Sequence, residues 1–536
     1  MSVKHTSRIL WISLVLGLCF DLLFWKKPEG ISFFLFILLV TAAGFVLASF
    51  EGVKPGKLSW LLAGFSMVFS AMTFIRREPF TNFINVLVSL ACLALLALTF
   101  SNGMWIKYSL ADIVVGFFRL SGAALGGGSS LLASSRKADI TPEGEEPAPP
   151  LHRRISIWAI FRGLLLAFPI VFFLALLLVS ADPVFSKELE KILDIERFME
   201  YAVRLALVAI IAYLLSGVYQ YSLEKSGRDD LIGKEKPWFQ PFLGFTESAI
   251  VLAGVNLLFT FFVIIQFKYF FGGQANIQVD GFTYAEYARK GFGELVWVAI
   301  LSLMLFLGLS TVTRRDSALK QRWFSGMSLV LVCLVGVILV SSFMRLNLLE
   351  SAYGFTRLRA YSHVFMIWLG VLLAAVLMLE IKQYRRGFAM AAFFTLIGFG
   401  LTLNVMNVDG FIASANAARA EKTLDLDYQY LQELSTDSVP PTLEAFRSTK
   451  EPQVKHLLGA ALACRASILE AQLEKWQWQG YHVSFNDALY ALRDARPELT
   501  DYRVKKIEGQ EDAWRTFTVQ TPIGEKECFK SYYPMD

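Results

Sequence analysis

The sequence predicts an all-α polytopic membrane protein of about eleven transmembrane helices, closed by a small extramembrane C-terminal domain that is mainly α-helical with a short antiparallel β-sheet. Three observations carry that class. The 536 residues are 55% hydrophobic and only 18% charged, with a mean hydropathy of +0.48, which departs from the balance of a soluble domain. The apolar excess is collected into runs of about 20 residues, the length an α-helix needs to cross a bilayer core. The runs stop at Met406, and the chain beyond is polar to its end.

The first run, Ile9–Trp25, follows Lys4 and Arg8 as a secretory signal would. A small-residue cleavage site is missing, because Trp25-Lys26-Lys27-Pro28 comes next, so a retained span is expected. Spans at Ile31–Phe50, Leu58–Ile75 and Asn82–Phe100 follow, joined by short loops that carry Lys54, Lys57, Arg76 and Arg77. Ile106–Leu125 is also helical in pattern, but Lys107, Asp112 and Arg119 interrupt it, which favours a helix lying in the interface. Residues 1–125 are thus expected to form an N-terminal four-helix unit plus interfacial helix. From Gly126-Gly127-Gly128 through Glu143, Glu145, Glu146 and Pro147 the composition cannot build a core, and 126–156 reads as a flexible cytoplasmic linker.

Spans resume at Ile157–Ala181, Tyr201–Tyr221, Phe242–Phe267, Gly293–Thr313, Phe324–Met344, Phe355–Leu379 and Gly387–Met406, giving a seven-helix unit over 157–416. Residues 417–536 form the extracytoplasmic C-terminal domain. Its helices are expected at Ala418–Leu434, Pro441–Phe446, Pro452–Gln479 and Asn486–Arg493, and its strands at Tyr502–Ile507, Trp514–Thr521 and Glu527–Tyr533. Cys464 and Cys528 lie here and could pair outside the cytoplasm, whereas Cys19, Cys92 and Cys333 sit in apolar runs as small hydrophobes.

Orientation follows from basic loops. Lys225, Arg228, Lys234 and Lys236, then Arg314, Arg315, Lys320 and Arg322, then Lys382, Arg385 and Arg386 mark the cytoplasmic side. With an odd number of spans the N-terminus is cytoplasmic and the tail is outside. A net charge of +5 is small for the length and is absorbed by those loops, so no nucleic-acid partner is expected; the expected partners are the lipid bilayer and a lipid or protein at the outer face.

Polar clusters gather on the predicted outer face. They are Ser180–Phe185 with Asp182; Thr283–Arg289 with Tyr284 and Tyr287, leading to Glu294; Arg345 through Tyr353 to Arg357 and Arg359; and Asn407 to Asn416 with Asp409. Tyr287 and Glu294, and Tyr353, Arg357 and Tyr361, recur at helical spacing. Asp182, Tyr284, Tyr287, Glu294, Arg345, Tyr353, Arg357, Arg359, Asn407, Asp409 and Asn416 are therefore the candidates for lining an outward-facing polar pocket.

Plainer roles stand beside this one. Asp182 before Pro183 and Asp409 before Gly410 fit helix caps, and tyrosines and arginines beside apolar spans serve as interface anchors. His363 has no second histidine at metal spacing, and neither HExxH, CxxC nor a nucleotide fingerprint occurs, so no metal, cofactor or catalytic residue is expected. Ser328 and His363 cannot form a dyad, because they start at opposite ends of adjacent spans.

The segments Ser180-Ala181-Asp182-Pro183-Val184-Phe185, Thr283-Tyr284-Ala285-Glu286-Tyr287-Ala288-Arg289, Ala352-Tyr353-Gly354-Phe355-Thr356-Arg357-Leu358-Arg359 and Asn407-Val408-Asp409 with Asn416 resemble those of a bacterial family of multi-pass membrane proteins defined by a domain of unknown function. The resemblance covers about Ile157–Pro440 and implies an integral protein of the bacterial cytoplasmic membrane, with no activity attached. The function expected is a non-enzymatic envelope sensor, scaffold or regulator. The competing readings are a transporter, or a polytopic transferase acting on a lipid-linked substrate at the outer face.

Overall fold

The computed structural model describes residues 5–138, 195–227, 240–269, 292–473, 476–506 and 517–528, with scattered positions between 163 and 182 and at 231. Most of the span expected at Ile157–Ala181 lies outside the described residues. Among those described, ten helices are long and apolar enough to cross a membrane, and Ser59–Ile75 is a further, shorter apolar helix. The chain is a multi-pass membrane protein.

In order, the membrane helices are α1 Thr6–Phe24, α2 Ile31–Glu51, α3 Ser59–Ile75, α4 Pro79–Thr99, α5 Leu110–Ala138, α6 Ile195–Glu224, α7 Phe245–Tyr269, α8 Phe292–Val312, α9 Ala318–Tyr353, α10 Arg357–Ile381 and α11 Phe388–Met406. The contacts divide the chain into two compact units: residues 26–120 with 222–536, and residues 2–25 with 121–221.

The larger unit holds α2–α4, α7–α11 and the tail. Leu252, Phe306, Phe324, Leu331, Leu339 and Leu369 are buried between α7, α8, α9 and α10. Leu257, Phe261 and Ile264 on α7 stay exposed and form a face suited to lipid. Lipid tails are as apolar as leucine, so helix association inside the bilayer needs close packing and polar ties. Such ties are present. Arg315, counted in the sequence as loop basicity, lies over the Phe324 ring at 4.1 Å and pairs with the buried Glu380 at 3.2 Å.

The smaller unit corrects the expected linker. Instead of ending at 125, α5 continues through Gly126, Gly127 and Gly128 to Ala138; the rest of 126–156 lies outside the described residues. Gly127 and Gly128 are contact surface, whereas Gly126 faces open space. A Cβ on Gly127 would stand 2.8 Å from the Gly217 Cα on α6, and one on Gly217 would stand 2.3 Å from the Ala123 carbonyl oxygen, so both must lack a side chain for the helices to touch. Asp21 on α1 pairs with Arg204 on α6, Nε to Oδ1 at 2.9 Å and Nη2 to Oδ2 at 2.5 Å.

The interfacial assignment of Ile106–Leu125 also changes, since Leu110–Ser129 has the length and hydropathy of a span. Lys107 lies before the helix, in the 3-10 turn Met104–Lys107. Asp112 accepts from the Ser109 amide at 2.8 Å and pairs with Arg386 at 2.6 Å. Two of the three interrupting charges therefore sit at or before the helix start, and Asp112 is matched there by Arg386.

The tail opens with α12 Val408–Thr423, which stops at Leu424 with φ +55°. It continues through α13 Tyr428–Glu433, α14 Val439–Ser448, α15 Pro452–Leu473 and α16 Val483–Asp494. α15 is the central rod, with Leu458, Ala460, Cys464 and Leu469 buried. Against it lies the three-stranded antiparallel sheet β1 Arg503–Lys506, β2 Phe517–Thr521 and β3 Gly524–Cys528, in that order, with the buried Val519 opposite Val504 and Lys526. The third strand starts earlier than expected, because Pro522-Ile523 closes a hairpin and Gly524 takes φ +112°.

Cys464 and Cys528 are disulfide-bonded, 64 residues apart. Closing a loop of that length constrains the unfolded chain by about 4 kcal/mol. Cys464→Ser is expected to lose most of this, seen as a lower melting temperature for protease resistance of the tail; an unchanged temperature would mean that the bond does not form.

Candidate functional site at the junction of helices and tail

The chain turns from membrane to tail at Asn407, whose φ of +50° lies in the left-handed region that asparagine tolerates. Its side chain accepts from the Gly410 amide at 3.3 Å and so caps α12, and its Nδ2 donates to the Asp437 carbonyl at 3.3 Å. The cap is therefore Asn407, and Asp409 is free for another role. The reversal carries Asp409, in the first turn of α12, to a position with 0% exposure.

There Asp409 Oδ1 accepts from Arg357 Nε at 2.8 Å, and Oδ2 accepts from Arg357 Nη2 at 2.7 Å and from the Ser435 amide at 2.6 Å. The fork is bidentate, the strongest geometry available to a guanidinium and a carboxylate. Arg357 is the first residue of α10. Its backbone amide donates to the Tyr430 hydroxyl at 2.8 Å, and its Nη2 also donates to the Glu433 carbonyl at 3.1 Å. Burial pushes the Tyr430 phenol above its ordinary range. One arginine thus joins a membrane helix to two successive helices of the tail, α12 and α13.

Two more carboxylates complete the network. Glu78 caps α4, accepting from the Phe80 amide at 3.0 Å and the Thr81 amide at 2.7 Å, and it also takes a hydrogen bond from the Tyr361 hydroxyl. Arg357 Nε lies 4.0 Å from it. Asp437 accepts from the Arg77 amide at 2.7 Å and from the Ser435 hydroxyl at 2.9 Å, and Arg76 Nη1 stands 3.5 Å away. Burial raises the Asp437 pKa, against the lowering effect of the Arg77 amide, the Ser435 hydroxyl and Arg76. Arg76 Nε reaches the Asn404 carbonyl at 3.0 Å, and below it Asn404 and Asn85 exchange amide hydrogen bonds at 2.7 and 3.0 Å.

Asn416 holds the loop between α9 and α10. Its Oδ1 accepts from the Phe355 amide at 2.7 Å and its Nδ2 donates to the Phe355 carbonyl at 2.9 Å. Gly354 beside it has φ +77°, and a Cβ there would lie 2.7 Å from Asn416 Oδ1, so only glycine fits. Arg359 donates to the Gly354 carbonyl at 2.5 Å.

Of the residues singled out in the sequence, the structure brings together Asn407, Asp409 and Arg357, with Asn416 and Arg359 on the adjoining loop. Arg345 lies deeper on α9, buried, donating to Gln266 Oε1 at 3.0 Å. Tyr353 is 56% exposed, and Glu294 is exposed on α8. Asp182 is exposed and belongs to the smaller unit, while Tyr284 and Tyr287 lie outside the described residues.

Glu78, Asp437, Ser435 and Tyr430 are not among the pocket candidates read from the sequence, although Tyr430, Ser435 and Asp437 share in the family resemblance. Local signals existed for three of them: Glu78-Pro79 has the form of an N-cap followed by proline at the first helical position, and Ser435 and Asp437 belong to Ser435-Thr436-Asp437-Ser438, a hydroxyl-rich turn before prolines.

Both oxygens of Asp409 are occupied by donors from the protein itself. Among the described residues no three His, Cys, Asp or Glu side chains gather as a metal site. What this arrangement does chemically is hold elements together. A family model described as a domain of unknown function (DUF4153) matches residues 63–445, a span containing every member of the network. Neither a curated protein nor a solved structure matches the chain.

Proposed function

We propose, from the premise that the chain belongs to the DUF4153 family, that it is a non-enzymatic membrane regulator or sensor whose tail is latched to its helices through Arg357 and Asp409. The observation that carries this reading is the full burial of Asp409 between the Arg357 fork and the Ser435 amide. A carboxylate meant for catalysis at a lipid-facing cleft would keep an oxygen for its substrate, which favours the latch over the transferase reading. A partner at the tail face, protein or lipid, would act by altering the latch.

The reading also places the chain in a bacterial cytoplasmic membrane with the tail outside and the N-terminus inside. The Cys464–Cys528 disulfide supports an oxidising location for the tail. The Ile31 amide, at the start of α2, donates to the tail's Tyr481 carbonyl at 3.1 Å, so α2 begins on the tail side whether or not α5 crosses. Arg76 and Arg77 would run against the positive-inside pattern, but each has a local purpose: Arg76 faces Asp437, and the Arg77 guanidinium lies over the Phe485 ring at 5.3 Å.

The test is photocrosslinking from the exposed tail face in native membranes, followed by mass spectrometry, on wild type and Asp409→Asn. Capture of one protein or lipid that changes in the variant supports the latch. A small solute retained by both forms in mild detergent would overturn it in favour of transport. For topology, cysteines replacing the exposed Asp494 and Lys382, in a background with Cys19, Cys92 and Cys333 changed to serine, should label from opposite sides.

A further inference from the structure

The tail carries an aromatic segment that the latch does not use. After α15 the chain runs Trp476-Gln477-Trp478-Gln479-Gly480-Tyr481. Trp476 is 48%, Trp478 47% and Tyr481 38% exposed, while Gln479 between them is buried. Within six residues, then, three large aromatic side chains face outward on a segment whose backbone is fixed.

What fixes it is the start of a membrane helix. The Tyr481 carbonyl accepts from the Ile31 amide at 3.1 Å, and the Gln479 carbonyl accepts from Ser32 Oγ at 3.3 Å. The first of these satisfies one of the open N–H groups at the start of α2. The backbones approach so closely that a Cβ on Gly30 would lie 2.6 Å from the Gly480 carbonyl carbon, and one on Gly480 would lie 2.6 Å from Pro28 Cγ. From the other side His482, at 6% exposure, is hydrogen-bonded to the backbone of Thr73 near the end of α3. The segment is therefore held at the level where α2 enters and α3 leaves the apolar layer, which is the depth of the lipid headgroups.

We propose that Trp476, Trp478 and Tyr481 form a lipid-interface anchor, by which the tail domain rests on the headgroup and upper acyl region of the leaflet on its own side. Indole and phenol rings have an apolar body and a polar edge, and they concentrate at this depth in membrane proteins. The occupant is lipid because the segment is continuous with the entry point of a span, where lipid is the neighbouring phase. The anchor is independent of the Arg357–Asp409 latch and uses none of its residues.

The experiment places a nitroxide at position 476 or 478, through Trp476→Cys or Trp478→Cys in a background lacking Cys19, Cys92 and Cys333, in nanodiscs of phosphatidylethanolamine and phosphatidylglycerol. Asp494→Cys, on an exposed part of α16, is the aqueous control. The expected result is relaxation by oxygen with little relaxation by a water-soluble nickel chelate at 476 and 478, and the reverse at 494. Nickel access at 476 and 478 equal to that at 494 would overturn the proposal. So would exclusion of both reagents, which would mean that protein covers the segment. A conservative second measurement guards against a misfolded cysteine variant: Trp476→Phe/Trp478→Phe should lose part of the fluorescence quenching by brominated lipids seen in wild type. Quenching equal to wild type would also refute the anchor.

Discussion

Arg357→Met is expected to destabilise the junction by about 3 kcal/mol, because it leaves a buried carboxylate without its charged partner. Asp409, at 0% exposure, would keep only the Ser435 amide as donor. The arginine side chain is itself 24% exposed, which places the expected cost at the lower end of what breaking a buried pair brings. Arg357→Lys should fall between, since a lysine restores the charge without the bidentate fork or the geometry that also reaches Glu433. The double variant Arg357→Met/Asp409→Leu should be milder than Arg357→Met alone, because no charge is then stranded. The measurement is the melting temperature for protease resistance of the tail in detergent, with membrane insertion checked separately. If Arg357→Met melts with wild type, or the double variant is worse than the single, the latch does not hold the tail.

The family of side chains involved shows what a sequence can and cannot disclose about such a protein. Spans were legible because lipid forces every crossing helix to carry about 20 apolar residues in one stretch. The motifs around Arg357 and Asp409 were legible as polar residues at span ends on one face. Their partners were not: Tyr361 meets Glu78 across 283 positions, and the Arg77 amide meets Asp437 across 360. A charge displays its sign in the sequence but not its partner, so Arg315 and Asp112 were read as loop or interface signals although they pair with Glu380 and Arg386. Gly126-Gly127-Gly128 misled for a related reason. In water such a run makes a flexible linker, whereas beside another membrane helix Gly127 and Gly128 remove the side chains that would hold the two apart.

Acid should loosen the same junction through His482. The imidazole is buried, Arg77 stands nearby, and together, burial first, they depress its pKa to about 3, against the raising effect of its hydrogen bond to the Thr73 backbone. In the unfolded chain it would take a proton near pH 6.5. For a base with a depressed folded pKa, the associated stability is fully present above about pH 6.5 and is lost as pH falls towards about 3. Linkage puts the whole effect on the order of 5 kcal/mol. Asp437 has the opposite sign. Its raised carboxyl contributes stability that is full below about pH 3.9 and declines as pH rises through the folded value. The two are separable by substitution. His482→Gln, which cannot titrate, should flatten the loss of tail protection between neutral and mildly acidic pH, while Asp437→Asn should leave that loss in place. The readout is alkylation of a cysteine at Ser484, which is 7% exposed beside His482 and hydrogen-bonded to Thr436, followed as a function of pH in sealed vesicles. Acid-dependent alkylation that persists unchanged in His482→Gln would assign the pH response to another group.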